Sequence, residues 1–120
     1  MKLEDAVQSY RMSADTRTLV RATQLLLISG VVGGGKNTVI NELVKDSKYH
    51  LIISHTTRAP RMNHGVLERE GEDYYFVTIP QVEKLLASKA FIEAKYVHGN
   101  VYGTSAAELA AAKSRNKVAV

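Results

Sequence analysis

The chain has 120 residues, is 45% hydrophobic, and carries a formal net charge of +4 with a pI near 9.4. These values predict one domain or part of one, and they exclude a disordered chain. The absence of cysteine excludes disulfides, zinc–thiolate sites and cysteine catalysis.

The hydropathy and charge patterns bound the location and the partners. No segment has the apolar run of a signal peptide, or the ~20 apolar residues of a membrane span, so we expect a cytoplasmic protein without a membrane partner. The basic residues suit an anionic ligand. They are scattered and form no single stripe, so we expect no nucleic-acid partner.

The N-terminal part, residues 1–23, is predicted to be a helical extension. Apolar residues recur at helical spacing from Leu3 to Tyr10, and Ser13 is placed to cap a second short helix. Because helical periodicity usually reflects burial, we expect both helices to pack on the domain.

A glycine-rich turn follows an apolar run and opens a helical pattern. Gly30, Gly35 and Lys36 have the spacing of a phosphate-binding P-loop, G-x-x-x-x-G-K-S/T. Glycines let the backbone wrap a phosphate, and the helix dipole and the lysine add positive charge. The alternative is a glycine turn that only joins a strand to a helix.

One position departs from the P-loop pattern. The Ser or Thr that normally reaches Mg²⁺ is replaced by Asn37, and Thr38 follows it. The side-chain carbonyl oxygen of Asn37 can face the metal directly or through water, so Asn37 is our candidate metal ligand.

The surrounding pattern predicts a strand–helix–strand unit. Residues 24–29 are a continuous apolar run, residues 36–46 have a helical apolar face, and Tyr49–Ile53 is a second apolar run. In such sheets the ligands lie beyond the carboxyl ends of the strands, where the glycine loop and Ser54 would meet.

Two arginines flank a proline in the next segment. Arg58 and Arg61 lie in an extended or turned stretch, where paired arginines suit bidentate phosphate binding. The alternative is a pair of solvated surface arginines. Residues 62–71 are polar and bounded by glycine, which predicts a loop.

The remaining pattern predicts alternating strands and helices. Strands are expected at Glu72–Thr78 and Phe91–Val97, with a turn at residues 98–100. Capping boxes at Thr78 and Ser105 each predict the start of a helix.

Five segments in this order resemble guanylate kinase, a P-loop nucleoside monophosphate kinase. Any one of them alone is a weak signal, whereas all five in order are highly specific. The segments are the glycine loop, Ser54-His55-Thr56-Thr57-Arg58-Ala59-Pro60-Arg61, Asp73-Tyr74-Tyr75-Phe76-Val77, Phe91-Ile92-Glu93, and His98-Gly99-Asn100-Val101-Tyr102-Gly103-Thr104-Ser105.

The resemblance implies an α/β fold, in which a P-loop kinase parallel sheet has helices on both faces and a small mixed GMP-binding subdomain. The implied parts are the extension (1–23), a P-loop core (24–56), the GMP-binding subdomain (57–104) and a return to the core (105–120). The family continues with an arginine-bearing lid and the C-terminal part of the core. We therefore expect a truncated chain that binds GMP weakly and has little kinase activity.

The implied activity is transfer of the terminal phosphate of ATP to GMP in purine nucleotide metabolism, with Mg²⁺ as cofactor. Glu93 fits this role because its carboxylate can accept hydrogen bonds from N1–H and the exocyclic amine of guanine, an edge that adenine lacks. The implied catalytic residues are Lys36, Arg58 and Arg61. The ATP-binding residues are Gly30, Val31, Val32, Gly33, Gly34, Gly35, Lys36, Asn37 and Thr38. The GMP-binding residues are Ser54, Arg58, Arg61, Tyr74, Glu93, Tyr102 and Thr104.

Alternatives remain at two levels. Tyr74 and Tyr102 can be interpreted as core aromatics, and Glu93 as an exposed strand carboxylate. For the whole chain, the rival is a non-enzymatic guanylate-kinase-like module that binds phosphorylated peptides. Such modules tend to lack the glycine loop, which this chain keeps. A P-loop ATPase with another substrate does not explain the segment 54–61.

Overall fold

The structure, a computed structural model, describes residues 2–25, 42–43, 45–63 and 65–120. The helices that it describes in full are α1 Leu3–Gln8, α2 Ala14–Ala22, α3 Ile79–Ala87 and α4 Ala106–Ser114. The strands are β1 Tyr49–His50, β2 His55–Thr56, β3 Met62–Asn63, β4 Val66–Leu67, β5 Tyr75–Phe76, β6 Phe91–Val97, β7 Asn100–Ser105 and β8 Val118–Ala119. Within these ranges, no helix has both the length and the apolar character that crossing a bilayer requires.

The described strands form three sheets, of which the β3–β4 hairpin is one and the other two contain the remaining strands. The larger one has four strands in the order β5–β2–β7–β6, with β2 parallel to β5 and β7 antiparallel to β2 and β6. The smaller one pairs β1 with β8 in parallel, and Leu25 makes a parallel bridge to Ala119 on the other side of β8. The α/β class with a parallel sheet and a second, mixed sheet is confirmed. The rest of the predicted first strand and most of the helix over 36–46 lie outside the described residues.

Two hydrophobic cores hold the described elements together. In the first, α1 and α3 cover one face of the β6–β7 ladder, and the buried side chains are Val7, Val82, Leu86, Phe91 and Val101. In the second, α2, α4 and β8 meet, and the buried side chains are Leu109, Ala112 and Ala119. The prediction that the N-terminal helices pack on the domain is confirmed, one helix on each core.

Strand β6 contains a bulge at its beginning. The register runs from Phe91 opposite Ser105 to Glu93 opposite Thr104, so that two steps on β6 match one on β7. The Phe91 ring lies against Gly103, where an added Cβ would come within 2.6 Å of it. The bulge turns Phe91 into the core while Glu93 stays on the opposite, exposed face.

Helix capping follows the local sequence at two of three positions. The Ser13 hydroxyl accepts from Thr16 N at the start of α2, and Thr78 forms the complete capping box of α3. At α4, Ser105 Oγ accepts from Glu108 N, but the Glu108 carboxylate accepts from the Tyr75 hydroxyl and lies 3.3 Å from His50 Nε2. The second predicted capping box is therefore half formed, because tertiary partners draw the carboxylate away.

The loop predicted over residues 62–71 is wrong. Strands β3 and β4 pair there as an antiparallel hairpin, and Gly65 at φ +79° lies in its two-residue connection. The sequence indicated a loop because the segment is polar and bounded by glycine, and strands of two residues are too short to show an alternating pattern.

The strands predicted at Tyr49–Ile53 and Glu72–Thr78 are shorter than expected. Each forms a ladder over two residues only. Strand β1 pairs with the two residues of β8, and β5 pairs with the two residues of β2. The residues with strand propensity outnumber the residues of the neighbouring strand that can form hydrogen bonds with them.

Candidate functional site

The candidate site begins on the face of the β6–β7 ladder that points away from the first core. Tyr102 and Thr104 alternate with buried neighbours along β7, so both lie on this outer face. The register places Lys95 opposite Tyr102 and Glu93 opposite Thr104. Four polar side chains therefore lie together on adjacent strands, and the two members of each cross-strand pair are close enough to interact.

A buried arginine forms the centre of the first half of the site. Arg58 is 9% exposed, its Nη1 lies 2.9 Å from Glu68 Oε1, and its Nη2 donates to Glu68 Oε2 at 3.2 Å. Hydrogen bonding to Glu68 raises the pKa of Arg58 above its ordinary value, and hydrogen bonds to Tyr102 and Tyr74 act in the same direction. The guanidinium is therefore permanently charged and held in a fixed plane.

Two tyrosines complete this cluster. The Arg58 guanidinium lies 5.2 Å from the centroid of the Tyr74 ring, and the Tyr74 and Tyr102 rings are 6.1 Å apart in an edge-to-face arrangement. The structure thus brings together three of the residues predicted to hold the GMP phosphate. A guanidinium flanked by two phenols can donate hydrogen bonds to an oxyanion, and an oxyanion bound here would share Arg58 with the Glu68 carboxylate.

Arg61 is placed differently from Arg58. Its side chain is exposed, and none of the interactions among the described residues joins that side chain to the cluster. Its backbone does take part, since Arg61 N donates to Glu68 Oε1 at 2.9 Å and Glu68 N donates to Arg61 O at 2.8 Å. Glu68 therefore ties the β3–β4 hairpin to the segment that carries both arginines.

The second half of the site is an open cavity of about 650 Å³. Ser54, Glu93 and Thr104, which were predicted to read guanine and its surroundings, all line it. Apolar side chains, among them Leu25, form much of the remaining wall. Glu93 is exposed, so its carboxylate is available to a ligand.

Sequence reasoning missed two residues at this site. Lys95 lines the same cavity as Glu93, and the two-residue spacing on a strand was the signal that could have found it. Glu68 lies in the segment that was predicted to be a loop, and no local pattern marks it as the partner of Arg58. Only the hairpin brings its carboxylate to the guanidinium.

The residues of the glycine loop lie outside the described residues. This applies to every predicted ATP-binding residue, Gly30, Val31, Val32, Gly33, Gly34, Gly35, Lys36, Asn37 and Thr38, and to the metal ligand among them. In the described part of the chain, no group of three or more His, Asp or Glu residues could hold a metal ion. The magnesium prediction rests on the family resemblance, and its candidate ligand Asn37 lies outside the described residues.

Comparison with known proteins identifies the family. The family model for guanylate kinase matches residues 22–120, which is most of the chain. The chain belongs to the guanylate kinase family. The extension up to residue 21 precedes the part that matches the guanylate kinase model.

Individual members of the guanylate kinase family are similar over the same part. The chain is 38% identical to guanylate kinase from Sus scrofa over 97 residues, which cover 79% of this chain and 47% of that protein. It is also 38% identical to guanylate kinase from Schizosaccharomyces pombe, with 79% and 46% covered. The crystal structure of guanylate kinase from Anaplasma phagocytophilum matches with a TM-score of 0.56 and 32% identity, covering 69% of this chain and 41% of that one. The chain thus spans about half the length of these relatives.

Proposed function

We propose that this chain holds the acceptor nucleotide in an enzyme that transfers the terminal phosphate of ATP to GMP. One observation carries the proposal. The Arg58 cluster, with its two tyrosines, and the cavity lined by Glu93 lie next to each other on one face of the sheet. GMP presents the two complementary chemistries, a phosphate and a base edge with two N–H donors.

The open cavity is suited to guanine. The Glu93 carboxylate accepts from N1–H and from the exocyclic amine, and the hydroxyls of Ser54 and Thr104 satisfy neighbouring polar atoms. Adenine presents an acceptor at N1 and carries hydrogen at C2 where guanine has its 2-amino group, so Glu93 would face a lone pair. The discrimination comes from the two hydrogen bonds that only guanine forms and from the repulsion between the carboxylate and the N1 lone pair of adenine.

The Arg58 cluster is suited to the GMP phosphate. Arg58, Tyr74 and Tyr102 donate to the phosphate oxygens, and Arg61 adds a second cation from the surface. Lys95 stands across the ladder from Tyr102 and contributes a further positive charge between the base and the phosphate. Together these groups lower the repulsion that a second anionic nucleotide would meet.

Catalysis in this proposal consists of positioning and charge neutralisation. An oxygen of the GMP phosphate bonds to the γ-phosphorus of ATP while the bond from that phosphorus to the β,γ-bridging oxygen breaks, giving GDP and ADP. Lys36 and the glycine loop hold the ATP phosphates, and Asn37 would contact Mg²⁺, which supplies positive charge to the phosphates when bound. Residues 57–104 act as the subdomain that closes on the core and excludes water.

The same proposal assigns the other segments of the chain, its ligands and its location. Residues 1–23 are the helical extension, 24–56 the P-loop core and 105–120 the return to the core. ATP and GMP are the partners, and the cytoplasm is the location.

A second candidate is a non-enzymatic binding module. It is favoured by one observation, the Asn37 that replaces the Ser or Thr of the P-loop. Its surface for phosphorylated peptides would be the same Arg58 cluster, so phosphate binding alone does not separate the candidates. Selectivity for guanine does, because a phosphopeptide has no base for Glu93 to read.

Calorimetric titration of the chain with GMP, and with AMP as control, tests the proposal. We expect GMP to bind more tightly than AMP, and both Glu93→Ala and Arg58→Met to weaken GMP binding. Arg69→Met is the matched control, because Arg69 is exposed and pairs only loosely with Glu72, at 3.9 Å. Equal binding of the two nucleotides, in a chain shown to be folded by circular dichroism, would favour the binding module.

A further inference from the structure

The N-terminal extension contacts the acceptor site at several residues: Met12 and Val20 line the cavity, and Tyr10 is bonded to a strand of the site. Tyr10 lies before residue 22, where the guanylate kinase match begins, yet it is bonded to the strand that carries Glu93. We propose that Tyr10 is a positioning residue for guanine recognition, which sets the Glu93 carboxylate by holding the β6 bulge. This inference rests on the proposed function, because it concerns the residue that would read the base.

The hydroxyl of Tyr10 makes two hydrogen bonds to one residue of β6. It donates to Phe91 O at 2.5 Å and accepts from Phe91 N at 3.1 Å. Among the described strands β6 is at the edge of its sheet, so none of them lies beside these two backbone groups on that side. The Tyr10 hydroxyl therefore takes the place of a strand partner for one residue, Phe91.

The Tyr10 side chain is itself held in place. Its ring meets the Phe91 ring edge-to-face at 6.3 Å, and Lys89 Nζ lies 4.9 Å from the Tyr10 ring centroid while donating to Arg11 O at 2.9 Å. Val7 anchors α1 in the first core. Burial raises the pKa of Tyr10, so the hydroxyl keeps its proton and remains a donor to Phe91 O.

The bonded residue is the one where the bulge begins. Phe91 and Glu93 are two residues apart, and in a regular strand they would share one face of the sheet. The bulge separates them, and Phe91 is fully buried while Glu93 faces the cavity. Loss of the bonds at Phe91 would let the strand relax toward regular pairing, which would turn Glu93 away from the guanine edge.

Tyr10→Phe tests this inference, because it removes the hydroxyl and keeps the ring that packs on Phe91. The matched control is Tyr96→Phe, on the same strand and against the same core, whose hydroxyl has no hydrogen-bond partner among the described residues. Calorimetry with GMP and AMP, at a temperature where urea titration shows each variant folded, gives the readout. We expect Tyr10→Phe to weaken GMP binding about three- to tenfold and to leave AMP binding unchanged. Tyr96→Phe should leave both unchanged.

A double-mutant cycle separates positioning from general support of the fold. If Tyr10 acts through Glu93, then Tyr10→Phe should have no further effect on GMP binding in a Glu93→Gln background. Additive losses, an equal loss of GMP and AMP, or unaltered GMP binding by Tyr10→Phe would each overturn the inference and leave the proposed function intact. Failure of the unaltered chain to prefer GMP over AMP would overturn both.

Discussion

The two faces of the β6–β7 ladder differ in what constrains them. The inner face is packed against α1 and α3, and Phe91 and Val101 are fully buried there. The outer face carries Glu93, Lys95 and Thr104 around an open cavity. Since one backbone serves both faces, packing on the inner face fixes the positions of the ligand-binding groups on the outer face. Substitutions on the outer face should therefore change nucleotide selectivity with little loss of stability, whereas substitutions on the inner face should lower stability first.

The largest effect is expected on the outer face. Glu93→Gln should weaken GMP binding about 100-fold, since one of two charge-assisted hydrogen bonds is lost and an amide donor then opposes a guanine donor. The free energy of unfolding should change little, because Glu93 is exposed. Calorimetry and urea titration measure the two quantities, with Glu83→Gln on the exposed side of α3 as the matched control. A loss of stability equal to the loss of binding would show that the two faces are not separable.

The next effect is expected on the inner face. Gly103→Ala should lower the free energy of unfolding by about 2 kcal/mol, because the new methyl group meets the buried Phe91 ring at 2.6 Å. Urea titration measures the loss. The companion variant Gly103→Ala/Phe91→Leu makes room for the methyl group, so it should recover part of the stability relative to Phe91→Leu alone. Additive losses would mean that the close approach to Phe91 is not the cause.

A smaller effect is expected from the charge that sequence reasoning missed. Lys95→Met keeps the aliphatic stem and removes the cation, so GMP binding should weaken about threefold, and more at low salt than at high salt. Binding of guanosine, which has no phosphate, should be unchanged. Lys84→Met on exposed α3 is the control. An equal loss for guanosine would show that Lys95 supports the cavity wall instead of the phosphate.

The smallest effect concerns pH and a histidine on the inner face. His55 is paired in register with Gly103, its Nδ1 is buried without a hydrogen-bond partner in the described part of the chain, and burial lowers its pKa against the opposing charges of Glu108 and Glu70. The unfolded chain protonates His55 near its ordinary pKa of about 6.5, whereas the folded chain resists protonation until lower pH. The His55 contribution to stability is therefore present above that value and is lost as the pH falls below it.

Urea titration between pH 7.5 and 5.5 measures this contribution. His55→Asn should flatten the decline of stability toward acid. His98→Asn should not, because His98 is exposed in the turn and its φ of +49° is one that asparagine tolerates. An unchanged slope in His55→Asn would assign the pH dependence to other groups.

Much of the fold could be predicted because its signals are local. The caps at Ser13 and Thr78 and the bounds Phe91–Val97 of β6 follow from residues close to one another in the chain. The order of five short motifs was enough to indicate the guanylate kinase family. For the site, Tyr102 and Thr104 were indicated by motif order alone, and the strand that carries both of them, β7, was not predicted.

The sequence by itself determined the helix starts at Ser13 and Thr78, the bounds of β6 and the family, since each depends on neighbouring residues or on motif order. Only the tertiary structure decided the β6 bulge, the Arg58–Glu68 pair, the diversion of Glu108 to Tyr75 and the contact of Tyr10 with Phe91. These features join elements that are distant in the chain. Whether a carboxylate caps its own helix or meets a distant hydroxyl depends on which partner the packed structure brings within about 3 Å, and no local pattern records that distance.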